Sequence, residues 1–178
     1  SNPNMNEEKL LLKAIWDVNI PKFLKDDIPL FEDISKDLFP NVDKPEYDHE
    51  QLLIGISKAC EKFNLQQQTN FVHKVLQLYD TIQVRSGLML VGPTGGGKTS
   101  SYKVLQEAMH VSSQAENSGD KFAPVHTYIL NPKSIKIEQL YGWINEQTKE
   151  WTDGILASIV RQTVKDTLQE KHWVVFDG

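Results

Sequence analysis

The stretch Leu88-Met89-Leu90-Val91-Gly92-Pro93-Thr94-Gly95-Gly96-Gly97-Lys98-Thr99 decides how this chain folds. Four apolar residues run directly into a glycine-rich segment. After Lys98 the apolar period becomes helical, with Tyr102, Leu105, Ala108 and Met109 on one face. Residues 92–99 match G-x-x-x-x-G-K-[ST] at every fixed position, and strand before, helix after is the context that gives the motif meaning. Glycines let the backbone curl so that successive N–H groups point inward around a phosphate. The helix start adds its positive dipole end. Lys98 brings a point charge for β- and γ-phosphates, and Thr99 a hydroxyl for Mg²⁺. The bland alternative is a glycine-rich turn with an exposed lysine. The predicted nucleotide-binding set is Gly92, Pro93, Thr94, Gly95, Gly96, Gly97, Lys98, Thr99 and Ser100.

Working outward, residues 125–130 and 173–176 are two further apolar runs that read as strands. Asn131-Pro132 ends the first of them. Residues 112–121 form a polar loop, and 135–141 a short helix. Ile155, Leu156, Ile159, Val160 and Val164 mark a longer helix. Strand, helix, strand, helix, strand with continuous apolar strands predicts an α/β fold whose parallel sheet is flanked by helices. The last apolar run closes in Asp177, where a second carboxylate for a metal is expected, so the predicted metal ligands are Thr99 and Asp177. Here the bland alternative is a solvated Asp-Gly turn.

Upstream, Asn6 before Glu7 and Glu8 reads as a helix start, with acids on the positive end. Pro21 and Pro29 suggest that residues 20–39 are an irregular arm packed on a larger body. Residues 41–44 read as a turn. Leu52, Leu53, Ile56, Ala59, Cys60 and Phe63 form one helical face. Phe71, Val72, Val75, Leu78, Tyr79 and Ile82 form another, and Gly87 sits where that helix should stop. The expected division is an N-terminal helical arm over 1–45 and a partial P-loop domain over 46–178.

The 178 residues suffice for a hydrophobic core without staples. A net charge of −5 argues against coating a nucleic acid, which needs excess positive charge. No 18-residue apolar run is present and the first residues are polar, so neither a membrane span nor a signal peptide is expected. The single cysteine, Cys60, excludes a disulfide framework within the chain and reads as a small buried hydrophobe. His49, His73, His110, His126 and His172 lack metal-ligand spacing. Trp151 reads as an interaction residue or a core tryptophan, with core favoured two to one on the residue alone; Asp153 reads as a functional contact or, first of all, a turn residue; Arg161 reads as meeting a neighbouring module or, by default, as a solvated helix residue. Ser100 and Ser101 read as helix residues rather than nucleophiles.

Several segments together resemble the dynein heavy chain family. They are Asp17-Val18-Asn19-Ile20-Pro21-Lys22-Phe23, Asp37-Leu38-Phe39-Pro40, Leu78-Tyr79, and Val84-Arg85-Ser86-Gly87 running into the loop. Further on come Asn131-Pro132-Lys133-Ser134-Ile135, Leu140-Tyr141-Gly142, Glu150-Trp151-Thr152-Asp153-Gly154-Ile155 and Val175-Phe176-Asp177-Gly178. They run from near the N-terminus to the last residue. The resemblance is specifically to the second AAA+ module of the motor ring. The Asn-Pro-Lys-Ser-Ile run and the glycine loop look axonemal, with an inner-arm type favoured.

The resemblance implies an AAA+ fold that binds ATP or ADP with Mg²⁺. It implies partnership with neighbouring AAA+ modules and the linker element. Through a parent motor it also implies microtubules and dynein light and intermediate chains, in the cytoplasm and cytoskeleton, at a cilium or flagellum axoneme. Residues 20–39 would connect from a preceding module, and 139–155 would be an insert touching the linker. In AAA+ ATPases the metal carboxylate is commonly followed by Glu, the base that orients water. Here the residue is Gly178, so no catalytic residue is assigned, and slow or absent hydrolysis is expected. Losing a general base costs about 10²–10⁴-fold in rate. In AAA+ proteins another strand lies between the P-loop strand and the metal-carboxylate strand. The expected sheet therefore has a gap, as if the chain were cut within a module. The competing readings are a freestanding P-loop ATPase or kinase, and a structural chain that binds no nucleotide.

Overall fold

The computed structural model describes residues 7–20, 23, 26–43, 49–115, 122–167 and 170–178. The expected Asn6 cap, the Pro21 break and the 116–121 part of the polar loop lie outside them. Helix α1 (Glu7–Asn19) opens with Glu7 and Glu8 in its first turn, and buries Leu12 and Trp16. Residues 28–38 are not irregular: they form a second helix, α2 (Ile28–Leu38). Pro29 sits in its first turn, where a missing N–H costs nothing and a fixed φ already suits the helix. Phe31 of α2 lies between Trp16 and Phe23, at ring centroid distances of 5.6 and 5.0 Å. No described helix is long and apolar enough to cross a membrane.

The core is built by α3 (Glu50–Lys62), α4 (Thr69–Val84) and α5 (Lys98–Ser113). Helix α4 ends at Val84, three residues before Gly87, and Arg85 is already extended. Leu52, Ile56, Ala59, Cys60, Val75, Val104, Leu105, Ala108 and Met109 are buried together. Each large side chain contributes about 1.5–3 kcal/mol by leaving water. Burial also pushes the Cys60 thiol pKa up, as a small hydrophobe requires.

Helices α3 and α5 approach closely because position 55 has no side chain. A Cβ on Gly55 would stand 2.6 Å from the Ala108 carbonyl oxygen and 2.9 Å from Ser112 Oγ. Ser112 in turn donates to the Gln51 carbonyl at 3.2 Å.

Strands β1 (Val125–Leu130) and, far along the chain, Lys171–Phe176 pair in parallel, with Val125 opposite Lys171 and Leu130 opposite Phe176. Between them lie a 3₁₀ turn (Pro132–Ser134), α6 (Ile137–Tyr141), β2 (Gly142–Ile144), β3 (Trp151–Asp153) and α7 (Ile155–Lys165). The strand at 171–176 is therefore β4. Val125, Trp173 and Val175 point into the helical core. Strand alternation then turns His126, Tyr128 and His172 to the opposite face, where their rings contact one another.

Two further features depart from the sequence reading. Residues 88–91 join no sheet: the only described pairings are β1 with β4 and the antiparallel hairpin of β2 with β3. Met89 and Val91 are 88% and 89% exposed. The segment and β4 both line a cavity of about 790 Å³, and no ladder joins them. The second departure is the hairpin β2–β3, which was not expected as strands.

Gly55→Ala tests the helix crossing. At an open helical site the change gains about 1 kcal/mol. Here overpacking should outweigh that gain and lower the urea unfolding midpoint, by on the order of 1 kcal/mol net. A raised midpoint would show that the helices do not touch at Gly55.

Candidate functional site

The glycine loop takes its shape from two left-handed residues. Gly95 has φ 78° and Gly97 has φ 79°, a region costly for any side chain. Gly96 N–H donates to the Pro93 carbonyl at 3.1 Å, closing a turn. Gly97 is the N-cap of α5, so Lys98, Thr99 and Ser100 form its first turn, where backbone N–H groups lack helical partners. Ser101 is a helix residue as expected: its hydroxyl donates to the Gly97 carbonyl at 2.8 Å. Lys98 Nζ donates to the carbonyls of Gly92 and Pro93, at 3.0 and 2.8 Å. The ammonium thus lies over the mouth of its own loop.

Asp177 reaches this loop because of strand alternation. It follows β4 in phase with Trp173 and Val175, the residues facing the helical core. Its N–H donates to the Leu130 carbonyl at 3.0 Å, extending the ladder by one bond. Its Oδ2 accepts from Thr99 Oγ1 at 2.9 Å and from Tyr102 Oη at 3.2 Å. The structure thus brings both expected metal ligands together across 78 residues of sequence. A carboxylate and a hydroxyl side by side form a hard-oxygen pair, which suits Mg²⁺. Burial, and then the Asp177 charge and hydrogen bond, push the Tyr102 phenol pKa upward, so it remains a donor.

Tyr102 and Asn131 had no predicted site role. Tyr102 read only as core, although it stands three residues after Thr99 and so shares its helix face. Asn131 read only as a strand end. Its Oδ1 accepts from Lys133 N–H at 3.0 Å, capping the 3₁₀ turn. A Cβ on Gly178 would stand 2.5 Å from that same Oδ1.

The hairpin decides between the readings of two other residues. Trp151 is not core: it is 54% exposed. Its Nε1 donates to Asp153 Oδ1 at 2.7 Å. Arg161 is not simply solvated, since its Nε lies 2.7 Å from Asp153 Oδ2. Asp153 also borders a second cavity of about 690 Å³, lined by Trp143, Ile155 and Ile159 among others. Among the described residues no His, Cys, Asp and Glu cluster can hold a metal ion. The described histidines pair with acids where they are buried: His49 Nε2 lies 2.9 Å from Asp80 and His172 Nε2 lies 3.6 Å from Asp166.

Two protein families match the sequence. One, described as "Hydrolytic ATP binding site of dynein motor region", matches residues 1–99. The other, "AAA domain (dynein-related subfamily)", matches residues 87–178. Among curated relatives, Dynein axonemal heavy chain 1 of Rattus norvegicus is 48% identical over 178 residues. Dynein axonemal heavy chain 6 of Homo sapiens is 45% identical over 177 residues. The protein named "Dynein heavy chain, cytoplasmic" of Paramecium tetraurelia is 41% identical over 175 residues. These alignments cover 99%, 99% and 97% of this chain but only 4% of each relative. With the first family match alone spanning more than half of the sequence, this chain belongs to the dynein heavy chain family, in the AAA part of the motor region that carries an ATP-binding site.

Proposed function

We propose that this chain is a regulatory nucleotide-binding module of a dynein motor ring, the second AAA+ module, holding Mg-ATP with slow or no hydrolysis. The observation that carries this reading is the pairing of a complete phosphate loop with glycine after the metal carboxylate. In the proposal the N–H groups of 92–97 and of the first turn of α5 hold the phosphates, with Ser100 beside them. Lys98 exchanges its bonds to the Gly92 and Pro93 carbonyls for phosphate oxygens. Thr99 and Asp177 hold the metal. Bound there, Mg²⁺ offsets the negative charge of the β- and γ-phosphate oxygens.

Binding needs only these groups, whereas turnover also needs water oriented by a base. Gly178 offers none, and the amide of Asn131 lies against it. The module would act through its neighbours. Residues 1–45 form the arm from a preceding module, 46–178 the nucleotide domain, and the hairpin region the contact with the linker element. The parent motor would work on microtubules in an axoneme, with light and intermediate chains attached. This setting is supported by the axonemal names of several relatives.

Mg-ATP at about 100 times its Kd should stabilise the protein by roughly 2.7 kcal/mol, read as a raised unfolding temperature. Lys98→Ala should abolish that shift. No shift in the wild type would leave a structural chain that binds no nucleotide. Rapid multiple turnover would instead favour a freestanding ATPase or kinase.

Gly178→Glu should raise turnover by on the order of 10²-fold, by restoring a base. Gly178→Ala displaces Asn131 equally but adds no carboxylate, so its turnover should stay at the wild-type level. Equal rates in all three proteins, with nucleotide still bound, would show that the missing base is not what limits hydrolysis.

A further inference from the structure

We propose that Tyr102 is a positioning residue for the metal carboxylate, fixing Asp177 so that one of its oxygens stays turned to the metal. The inference rests on the nucleotide-binding reading above and extends it to a residue outside the loop motif. Thr99 and Tyr102 are three residues apart on α5, so their hydroxyls project from one face. Both converge on a single oxygen, Asp177 Oδ2, at 2.9 and 3.2 Å. Among the described residues Oδ1 accepts no such bond and is left to the metal and its water.

The two donors differ in how firmly they are held. Thr99 is half-buried in the first turn of the helix, where it is also assigned to the metal. Tyr102 is 6% exposed, with its ring among the core side chains of α4 and α5. A phenol anchored in this way has little rotational freedom, so its hydroxyl is a fixed point. Asp177 needs one, because its N–H bond to the Leu130 carbonyl holds the backbone past Phe176 but leaves the carboxylate free to turn. A single donor leaves the carboxylate free to pivot about that bond. Two donors from one rigid helix set its plane, as partners of metal-ligating carboxylates commonly do.

The test is Tyr102→Phe, which keeps the ring and removes only the hydroxyl. ATP affinity is measured in EDTA and then across a Mg²⁺ titration. Metal-free affinity should be unchanged. The Mg²⁺ concentration for half-maximal effect should rise about tenfold, the lower end of what losing such a partner costs. In an Asp177→Asn background the same change should move nothing further. An unchanged Mg²⁺ midpoint overturns the inference, and so does an equal loss of affinity with and without metal. If the wild type itself shows no Mg²⁺-dependent ATP binding, the nucleotide-binding reading has failed instead.

Discussion

Burial of one face of α5 is the constraint from which the rest follows. Val104, Leu105, Ala108 and Met109 have no exposed surface, and they lock the helix against α3, α4 and β1. A helix fixed along its length has a fixed first turn. The glycine loop is therefore not a free loop: its C-terminal end is the N-terminus of the best-anchored element in the chain. Electrostatic binding sites work by such preorganisation, because dipoles already in place need no reorganisation when charge arrives.

The same helix decides where the sheet can contribute. Strand β4 turns alternate side chains toward the helical core that contains α5, and Asp177 inherits that phase. Trp173 and Val175 pack against the buried cluster to which α5 contributes, and the carboxylate that follows them meets Thr99 in the first turn of that helix. Packing in the core and placement of the site are thus one event. The bond from Thr99 to Asp177 closes 78 residues of sequence, and apolar contacts rather than the bond itself supply most of what closes it.

Sequence patterns revealed features whose cause is local. The loop, the faces of α3, α4 and α5, and the apolar runs of β1 and β4 follow from spacing and composition. Pro29 misled because one residue type can end a helix or begin one, and only the next turn distinguishes them. The hairpin was not recognised because strands of three residues show no period. Trp151 looked buried because tryptophan usually is, yet its indole N–H had a partner two residues away. Residues 88–91 have strand composition, but pairing depends on a neighbour that composition does not describe. Tyr102 and Asn131 join the site through contacts 75 and 47 residues distant, which no short window contains.

The clasp on Asp153 has a mechanical consequence. One carboxylate holds Trp151 of the hairpin through Oδ1 and Arg161 of α7 through Oδ2. The turn between β2 and β3 is itself closed, with Asn145 N–H donating to the Glu150 carbonyl at 2.9 Å. Hairpin and helix are therefore tied at one residue: neutralising Asp153 would release Trp151 and Arg161 together.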